Sequence, residues 1–352
     1  MSKARIIIIG AGLTGLALAH KLKQQGEKAL ILEARPRIGG RILTKYGDAV
    51  APIELGATWL GRKHENLTGL LDELDIKVFE QILGDKAIYE PISTSPPQVV
   101  RLPPNDIPSY RIAGGSSRLI EALAASLDPE QIVLQQEVKN ISQQSDKILI
   151  ETDTDTFEAQ KLVSTLPPYL FSQRIAHTPA LPESLMAIAA QTHTWMGDSI
   201  KVALTFAEPF WRADHLSGTI MSNVGPIPEM YDHADVLDER FALKGFLNGA
   251  YHAASKEERL AVVLRQLSKY YGEAVHDYLA YEETVWRDEK HTFEPYQSPM
   301  LPHLHNGHEV YRQSYWDGNL YIAGSETAAD FPGYMDGAVQ SAEYVFDQLL
   351  SS

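Results

Sequence analysis

The chain has 352 residues, 44% of them hydrophobic, a formal charge of −15 at pH 7 and no cysteine. That size and composition allow a large core, expected as two lobes, and the missing cysteines exclude disulfides, thiolate metal sites and cysteine nucleophiles. The acidic balance argues against a nucleic-acid partner and mildly favours cationic ligands.

In chain order, residues 1–5 run straight into the β-branched run IIII at 6–9, which leaves no room for a signal peptide. No apolar run nears the roughly 18 residues of a membrane helix, so a soluble cytoplasmic protein without membrane contact is expected. Residues 6–9 predict a strand and the apolar spacing over 13–22 predicts a helix. Between them Gly10, Gly12 and Gly15 have the spacing a pyrophosphate needs: one for the turn, one for close backbone approach and one for helix packing. The helix N-terminus then faces the anion. A second strand at 28–32 ends in Glu33, whose carboxylate can accept from both ribose hydroxyls and would repel a 2′-phosphate. Strand, glycine triplet, helix, strand and acid in one unit point to an adenine dinucleotide.

NAD and FAD both satisfy that unit, and the next eight residues, ARPRIGGR at 34–41, separate them. Gly39 and Gly40 let backbone pass close to a ligand, and Arg41 offers a planar fork of donors to a phosphate. A second pyrophosphate grip suits an FAD bound in extended form.

Residues 93–108, STSPPQVVRLPPNDIP, hold five prolines and predict an excursion between lobes that is neither regular helix nor central strand. From Gly114, GGSSRLIEALAASL predicts a turn and a helix, followed by a strand at 132–138 and a hairpin-like pair at 147–152 and 156–162. LVSTLPP at 162–168 marks a crossover. Residues 169–286 mix helices with strands such as 199–206 and are expected to shape a substrate site. Residues 320–323 predict a short strand and 324–332 a loop, while Met335, Ala338, Val339, Ala342, Phe346 and Leu349 follow helical spacing. The positive end of that helix can face a ligand.

Taken together, GAGLTG at 10–15, EARPRIGGR at 33–41, ELGATWLG at 54–61, GGSSRLIEAL at 114–123, STLPP at 164–168, SIKVALTFAEPFWR at 199–212 and AGSETAADFPGYMDGAV at 323–339 occur in an order that resembles the flavin-containing amine oxidases, including the monoamine oxidases. The resemblance spans nearly the whole chain. It implies an α/β fold: a discontinuous, doubly wound, Rossmann-like FAD-binding domain (1–75, 109–168 and 287–352) with an inserted α+β substrate domain (76–108 and 169–286). It also implies a set of FAD contacts. Gly10, Gly12, Gly15 and Glu33 fall at the adenosine half, with Val138 as a backbone contact to adenine, and Arg41 falls at the pyrophosphate. Gly56, Ala57 and Thr58 come near the flavin, and Glu326 and Met335 lie toward the ribityl chain and ring. Thr14, Ala34, Arg35, Gly40 and Gly324 belong to the same cofactor-binding set.

By alternation alone, Lys201 lies opposite Ile200, Val202, Leu204 and Phe206 and reads as an exposed lysine. The resemblance implies instead a catalytic lysine that holds a water against flavin N5, and burial of such a lysine lowers its pKa. Tyr334 matches an aromatic that, with a partner, cages the substrate amine. A gap-free reading of FEPYQSPMLPH at 293–303 puts Met300 where monoamine oxidases carry the flavin-linked cysteine and Leu301 where the second cage tyrosine stands. The flavin is therefore expected to be non-covalent, with Trp59, Trp286 and Tyr296 as candidates for the missing aromatic, of which Trp59 and Tyr296 join Tyr334 as substrate-binding residues.

The expected reaction passes a hydride equivalent from the amine Cα–H to flavin N5, hydrolyses the imine, and uses molecular oxygen to give hydrogen peroxide. The alternatives are an FAD-dependent desaturase or protoporphyrinogen oxidase-like enzyme, and a flavin-binding protein without amine turnover. No metal site is expected, HLHNGH at 303–308 reading as a solvated loop, and the sequence leaves the amine and the oligomeric state open.

Overall fold

A computed structural model describes residues 2–47 and 50–351. Ser2–Ile9 lies within a nine-stranded sheet, parallel to Ala29–Leu32 on one side and to Thr156–Ser164 on the other. Its isoleucines explain the unbroken apolar run, because both faces are covered. Ile6 and Ile8 pack with the helices Leu13–Gln24, Ser117–Ala125 and Met335–Ser351, whereas Ile7 and Ile9 pack with residues from Pro168–Arg174 and Glu183–Ala189. The short strand Leu320–Ile322 runs parallel to the C-terminal half of Thr156–Ser164, so the last helix is returned beside the first.

The antiparallel strands Lys147–Thr152 and Val138–Gln144 extend the sheet, and Ala176–Thr178 closes that edge, beyond the boundary drawn at residue 168 from the sequence. A continuous strand over 132–138 does not form. Ile132–Val133 pairs with Ala29–Leu32, then the chain turns at Gln135, which has φ +59°. Gln135 N–H donates to Arg35 O (3.1 Å) and Gln136 N–H to Glu33 O (2.8 Å), so this stretch wraps the Glu33 segment instead of staying extended.

A second sheet of seven strands has the order Ala280–Val285, Ile200–Phe206, Phe241–Leu247, Glu229–Asp232, Leu216–Ser222, Lys86–Glu90 and Gln98–Arg101. Gln98–Arg101, from the proline-rich stretch, takes the edge, where proline neighbours disturb no further pairing. The helix Lys256–Tyr271, begun by a Ser255/Glu258 capping box, supplies Val263 and Leu267 to a core with Ile200, Val202 and Leu204. Ala203 and Ala242 on the opposite face pack against Ala51, Ile53 and Leu55. Small side chains there let Val50–Glu54 lie close to the sheet, and its following loop, residues 55–59, meets that face. All seven residues of Ile200–Phe206 are buried, so alternation could not mark which side of Lys201 faces water.

Candidate active site

The first turn is built from the glycines upward. Gly10 has φ +105°, and a Cβ on Gly15 would sit 2.0 Å from Gly10 O, so strand and helix can meet this closely only without a side chain there. Gly12 caps the helix Leu13–Gln24 with no side-chain acceptor. Its first-turn N–H groups therefore have room for an outside anion. Gly40, at φ +56°, faces it: a Cβ on Gly40 would lie 3.3 Å from Gly12 Cα. Two side-chain-free backbones thus approach each other beside Arg41.

Two cavities run from this point. A smaller one, about 100 Å³, is lined by Gly10, Gly12, Glu33, Ala34, Arg35 and Val138 among others. Glu33 is buried and held by Ala11 N–H (2.8 Å) and Arg35 N–H (2.9 Å), which orient its carboxylate and leave acceptor capacity over. Arg35 turns its guanidinium to Glu289 (3.1 Å) and Thr292. The larger cavity, about 450 Å³, holds Thr14, Gly56, Ala57, Thr58, Trp59, Lys201, Tyr334 and Met335 on its walls. Arg41 and Thr165 line both. The two form one trench from a ribose-type carboxylate to a buried lysine, with phosphate donors between, which fits an extended flavin dinucleotide.

Arg41 is prepared for that position. Its guanidinium pairs with fully buried Glu326 (2.8 Å), Ser325 Oγ (2.8 Å) and Trp195 O (3.0 Å). Burial alone would lower the arginine pKa and raise that of Glu326, but their mutual attraction outweighs it and both stay ionised.

At the far end, Lys201 Nζ donates to Gly56 O. Burial pulls its pKa down to about 8, against the pull of Glu54 and Glu229. Thr58 Oγ1 donates to the same carbonyl (3.1 Å) and accepts from Lys244 Nζ (3.0 Å). Lys244 is fully buried, its ammonium 3.8 Å over the Trp59 ring, and burial drives its pKa well below the usual lysine value. Trp59 is itself fixed by Gln81 Oε1 (2.9 Å) and by an edge contact with Tyr231.

Most of the expected residues therefore converge on one trench. Gly15 and Gly324 lie under it, and Glu326 stands behind Arg41. Tyr296 is outside the larger cavity: its hydroxyl accepts from Thr194 N–H (2.9 Å) and its ring packs on Tyr169 and Phe293. Leu301 is 71% exposed. The histidines of 303–308 are half-buried rather than solvated, with His303 stacked 3.9 Å on Trp195. Among the described residues no group of histidines or carboxylates is set to hold a metal ion, and no helix is long and apolar enough to cross a membrane.

Sequence reasoning missed three residues: Lys244, Glu229 and Trp195. A lysine inside the apolar strand FALKGFL was a usable signal for the first. Glu229, the only carboxylate among the described residues lining the larger cavity, and Trp195, in the loop before Ile200–Phe206, carried none.

A family model described as flavin containing amine oxidoreductase matches residues 13–92 and 95–350. Among curated proteins, the chain is 26% identical to "Probable flavin-containing monoamine oxidase A" of Dictyostelium discoideum, over 99% of this chain and 98% of that one. It is 24% identical to "Amine oxidase [flavin-containing] B" of Homo sapiens, over 99% and 86%. Its fold matches a solved putrescine oxidase bound to putrescine (TM-score 0.86, 23% identity, 99% of both chains). It also matches cyclohexylamine oxidase from Brevibacterium oxydans IH-35A (TM-score 0.85, 20% identity, 99% and 100%).

Proposed function

We propose that this chain, which belongs to the flavin-containing amine oxidoreductase family and uses FAD, oxidises a small amine that carries a second cationic group, with the cofactor held non-covalently. The observation that carries this reading is a single cavity shared by Lys201, the Gly56–Thr58 loop, Tyr334 and one carboxylate, Glu229. The dinucleotide grip falls to residues 1–75, 109–168 and 287–352, extended by the helices Pro168–Arg174 and Glu183–Ala189 and the edge strand Ala176–Thr178, and substrate recognition to 76–108 and the remainder of 169–286.

FAD, when bound, supplies the two-electron acceptor for the Cα–H bond of the amine and is restored by oxygen with release of hydrogen peroxide. The protein contributes position, a dry pocket and a proton site. Gly12, Gly40 and Arg41 suit the diphosphate, Glu33 and Val138 the adenosine end, and Met335 and the Gly56–Thr58 loop the ring. A buried lysine with a pKa of about 8 is partly neutral near neutral pH, so Lys201 Nζ can hold or release a proton, or a water, beside the reacting centre. The resulting imine is hydrolysed to a carbonyl compound plus ammonia or an amine.

Glu229 supports a second cation. Its Oε2 accepts from Tyr231 OH (3.0 Å), and the other walls nearby are Phe246, Trp59 and Lys201. A lone carboxylate in a mainly apolar pocket favours an ammonium over a neutral tail. The solved putrescine oxidase with bound putrescine is in keeping with a diamine. The same carboxylate disfavours the large apolar substrates of a desaturase.

The test is peroxide release from a chain-length series of diamines and matched monoamines, with E229Q alongside. Diamines at least about tenfold better in kcat/KM than monoamines, with the preference lost in E229Q, support the reading; equal rates for both series overturn the second-cation assignment.

A further inference from the structure

Glu229, Phe246 and Lys201 form one cross-strand row on the second sheet. Phe246 is in register with Lys201 on one side and with Glu229 on the other, and all three line the larger cavity. The next row on that face pairs Tyr231 with Lys244. Trp59 lies where the two rows meet: its ring is 6.2 Å from Phe246 and 5.3 Å, edge-on, from Tyr231, and Lys244 Nζ is 3.8 Å from its centre. The place of this indole therefore bounds the space beside the Glu229 carboxylate.

Trp59 stands on the loop 55–59 and not on the sheet, so its distance from the two rows has to be set by a side chain. Gln81, which is buried and outside the cavity lining, supplies it. Its Oε1 accepts from Trp59 Nε1–H (2.9 Å), and its Nε2 donates to Ile82 O and to Asp232 O (2.8 Å each). Asp232 ends the strand that Glu229 begins. One buried amide thus ties the indole to the strand that carries the carboxylate, and one acceptor with two donors is the demand that glutamine meets in a single orientation. The anchor is rigid in turn, since the Asp232 carboxylate takes Trp211 Nε1–H (2.7 Å), Arg212 Nε–H (2.7 Å) and Ala234 N–H (2.9 Å).

We propose that Gln81 is a positioning residue for amine selectivity: by clamping Trp59 to the Glu229–Asp232 strand it fixes the space in which a second cationic group meets Glu229. Without that amide the indole N–H is left unpaired in the interior, which favours a ring turned toward the cavity and a changed approach to the carboxylate. The proposal rests on the reading that the substrate carries a second cation, but binding tests it without turnover.

The FAD-loaded enzyme is reduced anaerobically with dithionite, so that no amine is oxidised, and titrated by calorimetry with 1,4-diaminobutane and with n-butylamine. Wild type, Q81M, W59F and Q81M/W59F are compared, with flavin absorbance confirming that each is folded and loaded. The wild type is expected to prefer the diamine by at least about tenfold. Q81M should reduce that preference by at least about fivefold, whereas in the W59F background, where no indole N–H needs holding, it should change it less than about twofold. A preference unchanged in Q81M, or a Q81M effect equally large with and without Trp59, overturns this proposal alone. A wild type that binds both amines equally removes the second-cation reading and this proposal with it. If Q81M does not keep its flavin, Q81N decides by the same criteria.

Discussion

Lys201 and Lys244 project from neighbouring antiparallel strands onto the same loop, one donating to Gly56 O and the other to Thr58 Oγ1 at 3.0 Å, and Thr58 closes the link by donating to Gly56 O. Ala203 faces Lys244 and Phe246 faces Lys201 across the ladder, so both lysines lie on the face turned to Val50–Glu54. Two ammonium charges in this buried space repel, and desolvation disfavours each. Burial lowers both pKa values, that of Lys201 to about 8, and the charge on Lys201 lowers that of Lys244 further.

Charge at position 244 should set the titration of Lys201. Arginine there is charged at every working pH, so K244R is expected to move the lysine-dependent inflection of kcat/KM from about 8 to lower pH by at least about one unit. K244M puts no charge beside Lys201 and should not lower the inflection. K201M should abolish the inflection and reduce kcat by about 100-fold. Rate profiles from pH 6 to 10 for the three variants are the check.

Burial of Lys201 has a stability consequence with a definite sign. Its pKa is about 8 folded and about 10.4 unfolded. Between those values the unfolded chain binds more protons, so stability rises with pH across that window. Below about 8 the full penalty is present, roughly 3 kcal/mol as an upper figure. K201M should therefore be more stable than the parent at pH 7, with the advantage fading by about pH 10.5. Urea unfolding at matched FAD saturation measures it.

The Arg41–Glu326 pair predicts non-additivity. R41M strands a fully buried carboxylate and should cost about 3–5 kcal/mol. R41M combined with E326Q removes that stranded charge and should recover much of the loss, though FAD affinity should stay low in both. A double-mutant cycle on urea midpoints, with flavin retention measured in parallel, separates the two effects.

Gly56 admits no side chain. A Cβ would lie 2.3 Å from Arg41 O and 2.5 Å from Leu43 N, both backbone atoms that cannot swing away. G56A is expected to fold poorly or to lose FAD on gel filtration, whereas alanine at Gly61, where a Cβ meets nothing within 4 Å, should be silent.

Legibility in the sequence followed how local each feature was. Gly10 to Glu33 could be recognised because strand, turn, helix and acid adjoin in the chain, and the unbroken isoleucines 6–9 marked the strand, whose two covered faces only the structure shows. Lys201 could not be placed by alternation because its strand is equally buried on both sides. Val138 was suggested by resemblance, and what brings it to the smaller cavity is the turn at Gln135, which no periodicity signals. Trp195 and Glu229 sit at element ends and enter the cavity only through tertiary packing. The resemblance placed the second aromatic at Leu301, on a loop that the fold leaves in solvent.

The central claim is amine oxidation by bound FAD, and the direct measurement is anaerobic. The purified protein is mixed with aryl-alkyl amines, diamines and polyamines, and amino acids while the visible flavin band is followed. Rapid bleaching by a diamine, with hydrogen peroxide on readmission of air, is the predicted result. A flavin that dithionite bleaches and no amine does would contradict the account and move the desaturase-like and non-catalytic alternatives ahead of it.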